Sequence, residues 1–270
     1  MALIDHHDGI LFDLDGVLYA GPEAIAGAPE ALAELSRQGR HCAFVTNNAS
    51  RSSADIAAHL VELGIPATAD QVYGSAPAGI KLMSRHVPAP ANVLVTGSDS
   101  LRELCRQAGY TVVQSAEDAP DAVIQGFEPT IGWADLAEAS YAINRGAQWF
   151  ATNLDRSVPR ERGIAPANGA LVETIAFATG QRPRAAGKPE PEMFEQAAEA
   201  LNLSSPLVIG DRLDTDILGG NRAGFTTALV LTGATTAAEA REANGDEKPN
   251  VILSTLADLF TSADDKSEQL

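Results

Sequence analysis

Ile10-Leu11-Phe12-Asp13-Leu14-Asp15-Gly16-Val17-Leu18-Tyr19 sets two carboxylates and a glycine directly after an apolar run. Ile10 to Phe12 read as a buried strand. Buried strands do not normally end in paired acids, because like charges this close repel and need an offsetting partner. A divalent metal with oxygen ligands, Mg2+ above all, is the usual partner. An EF-hand reading fails. With Gly16 at that loop's invariant glycine, Leu11 would stand first and Pro22 last, and neither supplies a carboxylate. Two readings survive locally: a solvated turn, or a catalytic pair with Asp13 as nucleophile and Asp15 as general acid and base. Groups at later strand ends must separate them.

Outward from this turn the chain alternates strand and helix. Ala28 to Arg37 carries Ala31, Leu32 and Leu35 at helical spacing, and Gly39 ends it. Cys42 to Val45 is a second buried strand, closed by Thr46-Asn47-Asn48. Ser52 or Ser53 can cap a helix with Ile56, Leu60 and Leu63 on one face. A short strand near Val72 and a helix over 77–85 follow. The proline-rich stretch 86–91 reads as a boundary. Beyond it come strands at 93–95, 111–113, 122–124 and 149–153, with helices between them and one over 170–178. The first pattern resumes with Gly187-Lys188-Pro189, a helix over 193–201, the strand Leu207-Val208-Ile209, and Gly210-Asp211. Thr227 to Leu231 is a further strand, and 264–270 reads as a frayed polar tail. Such alternation predicts parallel sheets with helices on their faces.

Composition narrows the function. The chain has 270 residues, 45% hydrophobic and 20% charged, which suits one large core or a core carrying an inserted domain. No apolar run approaches the ~20 residues of a membrane span. The start, MALIDHHDG, lacks the pattern of a signal peptide, so the expected location is the cytoplasm. His6 and His7 read as a polar lead-in. Cys42 and Cys105 are too few for a disulfide framework or zinc site and read as reduced packing residues. A net charge of −17 argues against nucleic-acid or anionic-membrane partners. The same field repels phosphate, so a phosphate substrate requires local cations. The composition is compatible with a homodimer.

Ligands of doubly wound parallel sheets bind outside the carboxyl ends of the strands. Asp13, Asp15, Thr46, Asn47 and Asp211 all follow strands, and Lys188 precedes a helix. Each has a bland reading alone: a capping loop at 46–48, a solvated lysine, helix-start acids at Asp211, Asp214 and Asp216. Together they suit phosphoryl transfer. Asp13 attacks phosphorus and forms an aspartyl-phosphate. Mg2+ is held by Asp13, the Asp15 backbone carbonyl and Asp211. Thr46 and the Asn47 N–H bind phosphate oxygens, with Asn48 beside them. Lys188 adds positive charge, and Asp216 orients the metal's waters or Lys188. Asp15 has to be protonated for the leaving alkoxide and then ionised to activate water. An unperturbed Asp titrates at ~3.9; partial burial beside other acids would raise it and the metal would lower it, and the sequence leaves the balance open.

These residues resemble the motifs of the haloacid dehalogenase superfamily of phosphatases. The matching segments are Asp13-x-Asp15-Gly16-Val17-Leu18, Thr46-Asn47-Asn48, Gly187-Lys188-Pro189 and Gly210-Asp211-Arg212-x-Asp214-Thr215-Asp216. Thr-Asn-Asn with Gly-Asp-x-x-x-Thr-Asp resembles the subclass IIA, which carries a large C2-type α/β cap. The resemblance implies a Rossmann-like core over 1–80 and 183–270, a doubly wound parallel sheet, with a smaller α/β cap inserted at 81–182. It implies a Mg2+-dependent phosphomonoesterase for a small phosphorylated metabolite. Within the subclass, Ala49-Ser50-Arg51-Ser52, Gly132-Trp133-x-Asp135-Leu136-Ala137-Glu138-Ala139 and the segment 210–216 are most similar to actinobacterial glycerol-3-phosphate phosphatases. Asp214 carries over no role and reads as helix-start charge.

Substrate choice is expected in the cap, at the loop 153–163. It carries Arg156, Arg160 and Arg162 and no aromatic side chain or histidine, which favours a small polar or acidic leaving group over pyridoxal. Arg160 and Arg162 are the candidate contacts. Glycerol 3-phosphate or phosphoglycolate is the first substrate expectation, a nucleoside monophosphate the second. Three rival readings are weaker. A phospho-accepting signalling domain has no need of a leaving-group acid or a cover, a dehalogenase needs neither Asp15 nor a metal, and a phosphomutase would shelter its phospho-enzyme from water.

Overall fold

The computed structural model describes residues 1–49, 51–160 and 162–261, with 159 and 160 described by their backbone. Ser50, named above in a motif, Glu161 of the stretch 153–163, and the tail 264–270 lie outside the described residues. In chain order the elements are β1 (Gly9–Phe12), β2 (Tyr19–Ala20), β3 (Glu23–Ala24), α1 (Ala28–Arg37), β4 (His41–Thr46), α2 (Ser53–Glu62), β5 (Val72–Gly74), α3 (Ser75–His86), β6 (Asn92–Thr96), α4 (Asp99–Gln107), β7 (Thr111–Val113) and β8 (Ala122–Gln125). They continue with α5 (Trp133–Asn144), β9 (Gln148–Ala151), β10 (Ser157–Arg160), β11 (Gly163–Pro166), α6 (Asn168–Thr179), β12 (Arg184–Ala185), α7 (Glu192–Ala200), β13 (Pro206–Gly210), α8 (Leu218–Arg222), β14 (Thr226–Val230), α9 (Ala237–Glu242) and β15 (Val251–Leu253).

Two compact units divide the chain. One contains residues 1–46, 53–73 and 188–270, the other 47–52 and 74–187. In the first, the sheet order is β15-β14-β13-β1-β4-β5. β1 pairs in parallel with β13 on one side and β4 on the other, Phe12 lying level with both Ile209 and Phe44. Every residue of β1 and of β13 is buried, as a parallel sheet covered on both faces requires. From β1 the chain order runs outward through β4 and β5, then returns to the other side at β13. The strand order therefore reverses beside β1, which defines the switch point where such sheets open a crevice. Leu14, Leu18, Leu32, Leu35, Leu60 and the stacked pair Phe12 and Phe44 share one core here.

The second unit holds its own parallel sheet, β12-β9-β8-β6-β7. One face packs on α3 and α4 through Met83, Leu101 and Cys105, the other on α5 and α6 through Ile143, Val172 and Ile175. Ser98 caps α4, accepting the Leu101 N–H. Cys42 and Cys105 are buried free thiols, and burial pushes each up to about 12.

Three sequence readings need correction. The stretch 86–91 is not a boundary: it lies inside the second unit and carries the chain from α3 into β6. Its prolines end a helix, which they do within domains as well as between them. The segment 153–163 is not loop throughout. β10 pairs with β11 in an antiparallel hairpin, Ser157 opposite Pro166 and Arg160 opposite Gly163, and Pro159 hides the strand because proline cannot donate to a ladder. The segment after Asp211 starts as a π-helical turn at 213–217, not as regular α-helix.

Leu35 is fully buried on α1. Leu35→Ala should therefore lower unfolding free energy by about 2–5 kcal/mol, read from urea denaturation followed by far-UV circular dichroism. A loss below ~0.5 kcal/mol would show that α1 does not anchor this core.

Candidate active site

Asp13 emerges from β1 with its N–H donating to the Ile209 carbonyl of β13 at 2.8 Å. The chain then folds back tightly. The Leu14 carbonyl accepts from Leu18 at 2.8 Å and from Val17 and Tyr19 at 3.2 Å, and the Gly16 N–H donates to Tyr19 at 2.8 Å. Gly16 has φ +83°, and a Cβ there would collide with the Asp211 carboxylate. The glycine thus serves both the turn and the close approach of a strand-end acid.

Asp211 follows β13 and is gripped by the loop after β14. Its Oδ2 accepts the Ala234 N–H at 2.6 Å, and its carbonyl accepts the Thr235 N–H at 3.2 Å. The Thr232 hydroxyl donates to the Gly16 carbonyl at 2.7 Å. A Cβ at Gly233 would overlap the Asp211 carboxylate. Sequence reasoning missed this Thr232-Gly233-Ala234 clasp. A Thr-Gly pair after a predicted strand was its only signal, and such pairs are common in turns.

The Lys188 ammonium donates to the Asp13 carboxylate and to the Val45 carbonyl, the latter at 3.1 Å. It also lies 2.6 Å from Asp216 Oδ1. The Arg212 N–H donates to Asp216 Oδ2 at 3.1 Å, so the π turn bends Asp216 back under the strand end. All four charged groups are buried: Asp13 is 7% exposed, Asp211 and Lys188 4%, Asp216 1%. One ammonium therefore faces three carboxylates.

That imbalance sets the electrostatics. Burial pushes the Asp13 carboxyl well above the usual aspartate range; Lys188 pulls it down, and Asp216 and Asp211 push it up. Asp211 rises to about 6, mainly through burial and then through Asp216. Burial opposes the Lys188 ammonium, yet Asp13 and Asp216 outweigh it and hold Lys188 above the ordinary lysine range. The cluster keeps its cation and lacks positive charge. Carboxylate oxygens of Asp13, Asp211 and Asp216 come within 4.8 Å of one another. Asp211 Oδ1 is buried without a hydrogen-bond partner, an arrangement that is costly unless something is to be bound. Hard oxygen donors of this kind fit Mg2+. Asp216 is already engaged by Lys188 and Arg212, which leaves Asp13 and Asp211 as the better donors.

The structure brings together Asp13, Lys188, Asp211 and Asp216. Thr46 is buried one residue beyond the Val45 carbonyl that Lys188 touches. Asp15 is exposed, so the partial burial considered for it is not found. Asp214 is exposed and bonds Arg212 at 2.9 Å, in keeping with a helix-start charge. Asn47 and Asn48 belong to the second unit, as do Arg160 and Arg162. Arg162 is exposed on the turn between β10 and β11.

A family model described as haloacid dehalogenase-like hydrolase matches residues 10–111, and a HAD-hydrolase-like model matches 185–259. The D-glycerol 3-phosphate phosphatase of Mycobacterium tuberculosis is 42% identical over 259 residues, spanning 96% of this chain and 72% of that protein. The chain belongs to the haloacid dehalogenase-like hydrolases. This hydrolase is also 37% identical to the 5'-nucleotidase YutF of Bacillus subtilis, over 93% of its own length and 97% of that protein's. Among solved structures, the magnesium complex of the M. tuberculosis glycerol phosphate phosphatase superposes with a TM-score of 0.93 at 41% identity, covering 97% of this chain and 80% of that one. Both sheets of this hydrolase are the expected α/β architecture. Among the described residues, no helix is long and apolar enough to cross a membrane.

Two tests follow from the geometry. Gly233→Ala should displace Asp211 and weaken Mg2+ binding roughly 10- to 100-fold, measured by calorimetric titration; unchanged affinity would remove Asp211 from the metal set. The second concerns acid. Asp211 moves from 3.8 when free to about 6 when folded, so between those values the folded metal-free protein binds more protons than the unfolded chain. Its stability should fall as pH rises through that window, with Asp13 adding in the same direction. Melting curves in chelator should show this slope, and Asp211→Asn should reduce it.

Proposed function

We propose that this chain is a Mg2+-dependent phosphomonoester phosphatase acting through an aspartyl-phosphate on a small phosphorylated metabolite. The observation that carries the reading is the buried contact of Lys188 with Asp13 and Asp216, beside an Asp211 oxygen that has no partner. A lysine so placed neutralises phosphoryl charge in a molecule whose net charge of −17 would otherwise repel the substrate.

Asp13 Oδ attacks phosphorus in line, the phosphorus–oxygen ester bond breaks, and Asp15 delivers a proton to the departing alkoxide. Asp15 then removes a proton from water, whose oxygen attacks the aspartyl-phosphate and frees orthophosphate and the Asp13 carboxylate. The exposed position of Asp15 suits contact with the leaving group and with water. Lys188, kept cationic by its two carboxylates, steadies the charge on the phosphoryl oxygens. The Thr46 hydroxyl and the Asn47 N–H bind those oxygens, and Asp216 holds Lys188 in place. Asp13, Asp211 and the Asp15 carbonyl would hold Mg2+, whose charge would offset repulsion between the nucleophile and the phosphoryl group.

Glycerol 3-phosphate is the first substrate to test, supported by the 42% identity to a D-glycerol 3-phosphate phosphatase; phosphoglycolate shares its small polar form. A nucleoside monophosphate is the second reading, favoured by the 37% identity to a 5'-nucleotidase. Substrate choice is assigned to the unit over 74–187, with Arg160 and Arg162 as candidate contacts.

Asp13→Asn should lower kcat on p-nitrophenyl phosphate by roughly 10⁴-fold or more while circular dichroism stays unchanged. Chelator should silence the wild type and added Mg2+ restore it. Turnover by the Asn variant would refute the nucleophile, and chelator-resistant turnover the metal. A panel of glycerol 3-phosphate, phosphoglycolate and nucleoside monophosphates ranks the substrates. If the double alanine variant at 160 and 162 leaves every kcat/KM unchanged, those arginines have no role in choice.

A further inference from the structure

Two catalytic side chains in the proposed function, Thr46 and Lys188, sit one covalent bond away from residues of the second unit, Asn47 and Gly187. Both neighbours are gathered around one buried side chain. The Asn153 amide nitrogen donates to the Asn47 carbonyl at 2.7 Å. The Ser75 hydroxyl donates to that same carbonyl, also at 2.7 Å. The Asn47 side chain is fixed in turn, its Nδ2 donating to Asp155 Oδ1 at 2.8 Å, while the Asp155 N–H donates to Asn153 Oδ1 at 3.2 Å. Asn168 Nδ2 donates to the Asn153 carbonyl at 2.7 Å and anchors the segment from behind. At Gly187, a Cβ would stand 2.7 Å from the Asn153 Cβ, the Asn47 Oδ1 and the Thr152 carbonyl, so only glycine fits.

From this we infer that Asn153 is a positioning residue for the phosphate-binding segment: it fixes the Asn47 carbonyl, on the far side of the Asn47 Cα from the N–H that follows Thr46, and packs against Gly187 before Lys188. The inference deepens the proposed function and rests on its assignment of phosphate to Thr46, the Asn47 N–H and Lys188. The chemistry needs an asparagine. Its amide supplies a donor to one carbonyl and an acceptor to one N–H, both buried, and a carboxylate in its place would set an acceptor against the Asn47 carbonyl. The cost falls on geometry, since a shift of about 1 Å in a binding peptide can cost roughly 100-fold in rate.

The test compares wild type, Asn153→Asp and Gly187→Ala with p-nitrophenyl phosphate as substrate and orthovanadate as phosphate-mimicking inhibitor. Expected for Asn153→Asp is a fall of roughly 10- to 100-fold in kcat/KM with a matching loss of vanadate affinity. Mg2+ affinity should stay close to wild type, because the carboxylates are untouched, while the melting temperature falls with the buried donor that is lost. A merely structural role would lower the melting temperature alone and leave the vanadate constant of the folded fraction at its wild-type value. Asn153→Gln, too long for the same two bonds, should not rescue. Gly187→Ala should show the same loss of vanadate affinity, and it carries the test if Asn153→Asp does not fold. Wild-type vanadate affinity in the folded variant overturns the positioning role. Failure of wild type to bind vanadate or turn over substrate overturns the phosphate reading instead, so the two failures are distinct.

Discussion

Three buried carboxylates share a single ammonium where the first sheet reverses its strand order. Asp13 and Asp211 come from adjacent strand ends, β1 and β13, and the parallel pairing of Phe12 with Ile209 leaves them one residue out of step. Lys188 and Asp216 are then drawn in by charge. Removing one partner from such a buried set is costly, because it strands the others without water. The set is therefore poorly tuned for stability and well tuned for receiving a cation. Its deficit of positive charge is stored in the fold, and the Asp211 oxygen without a partner shows where it lies.

The sequence was informative where chemistry contradicted its surroundings. An acidic pair after Ile10-Leu11-Phe12 is out of place in a buried strand, and that mismatch identified the turn. The helix over 28–37 and the strands of the first sheet were legible from periodicity and Gly punctuation. Less was legible where local signals are ordinary. Nothing in Thr232-Gly233-Ala234 shows that it clasps Asp211, because the partner is distant in sequence and the contact uses a backbone N–H. The hairpin at β10 and β11 was hidden by Pro159 and Pro166, which weaken any strand signal. The exposure of Asp15 depends on the turn's direction, which spacing does not encode.

Likeness to known proteins and the physical reading meet at different levels. Glycerol phosphate and nucleotide phosphatases both resemble this chain at similar identity, so the shared core speaks for the reaction class and not for the leaving group. The carboxylate cluster is the part that any phosphomonoester requires. The hairpin and the segment around Asn153 belong to the second unit, where side chains can diverge without disturbing the metal donors.

β1 occupies the middle of its sheet, yet its two neighbours are unequal in chain position: Gly9 pairs with His41 and also with Pro206. During synthesis the first partner arrives early and the second only after the whole intervening unit has been made. Residues 74–187 have their own sheet and cores and can settle while β1 still waits with one flank open. Long-range strand pairing of this kind slows folding. It also means that a nascent chain cut short before β13 carries Asp13 and Thr46 but no Lys188–Asp216 pair and no Asp211. Incomplete products are thereby born inert.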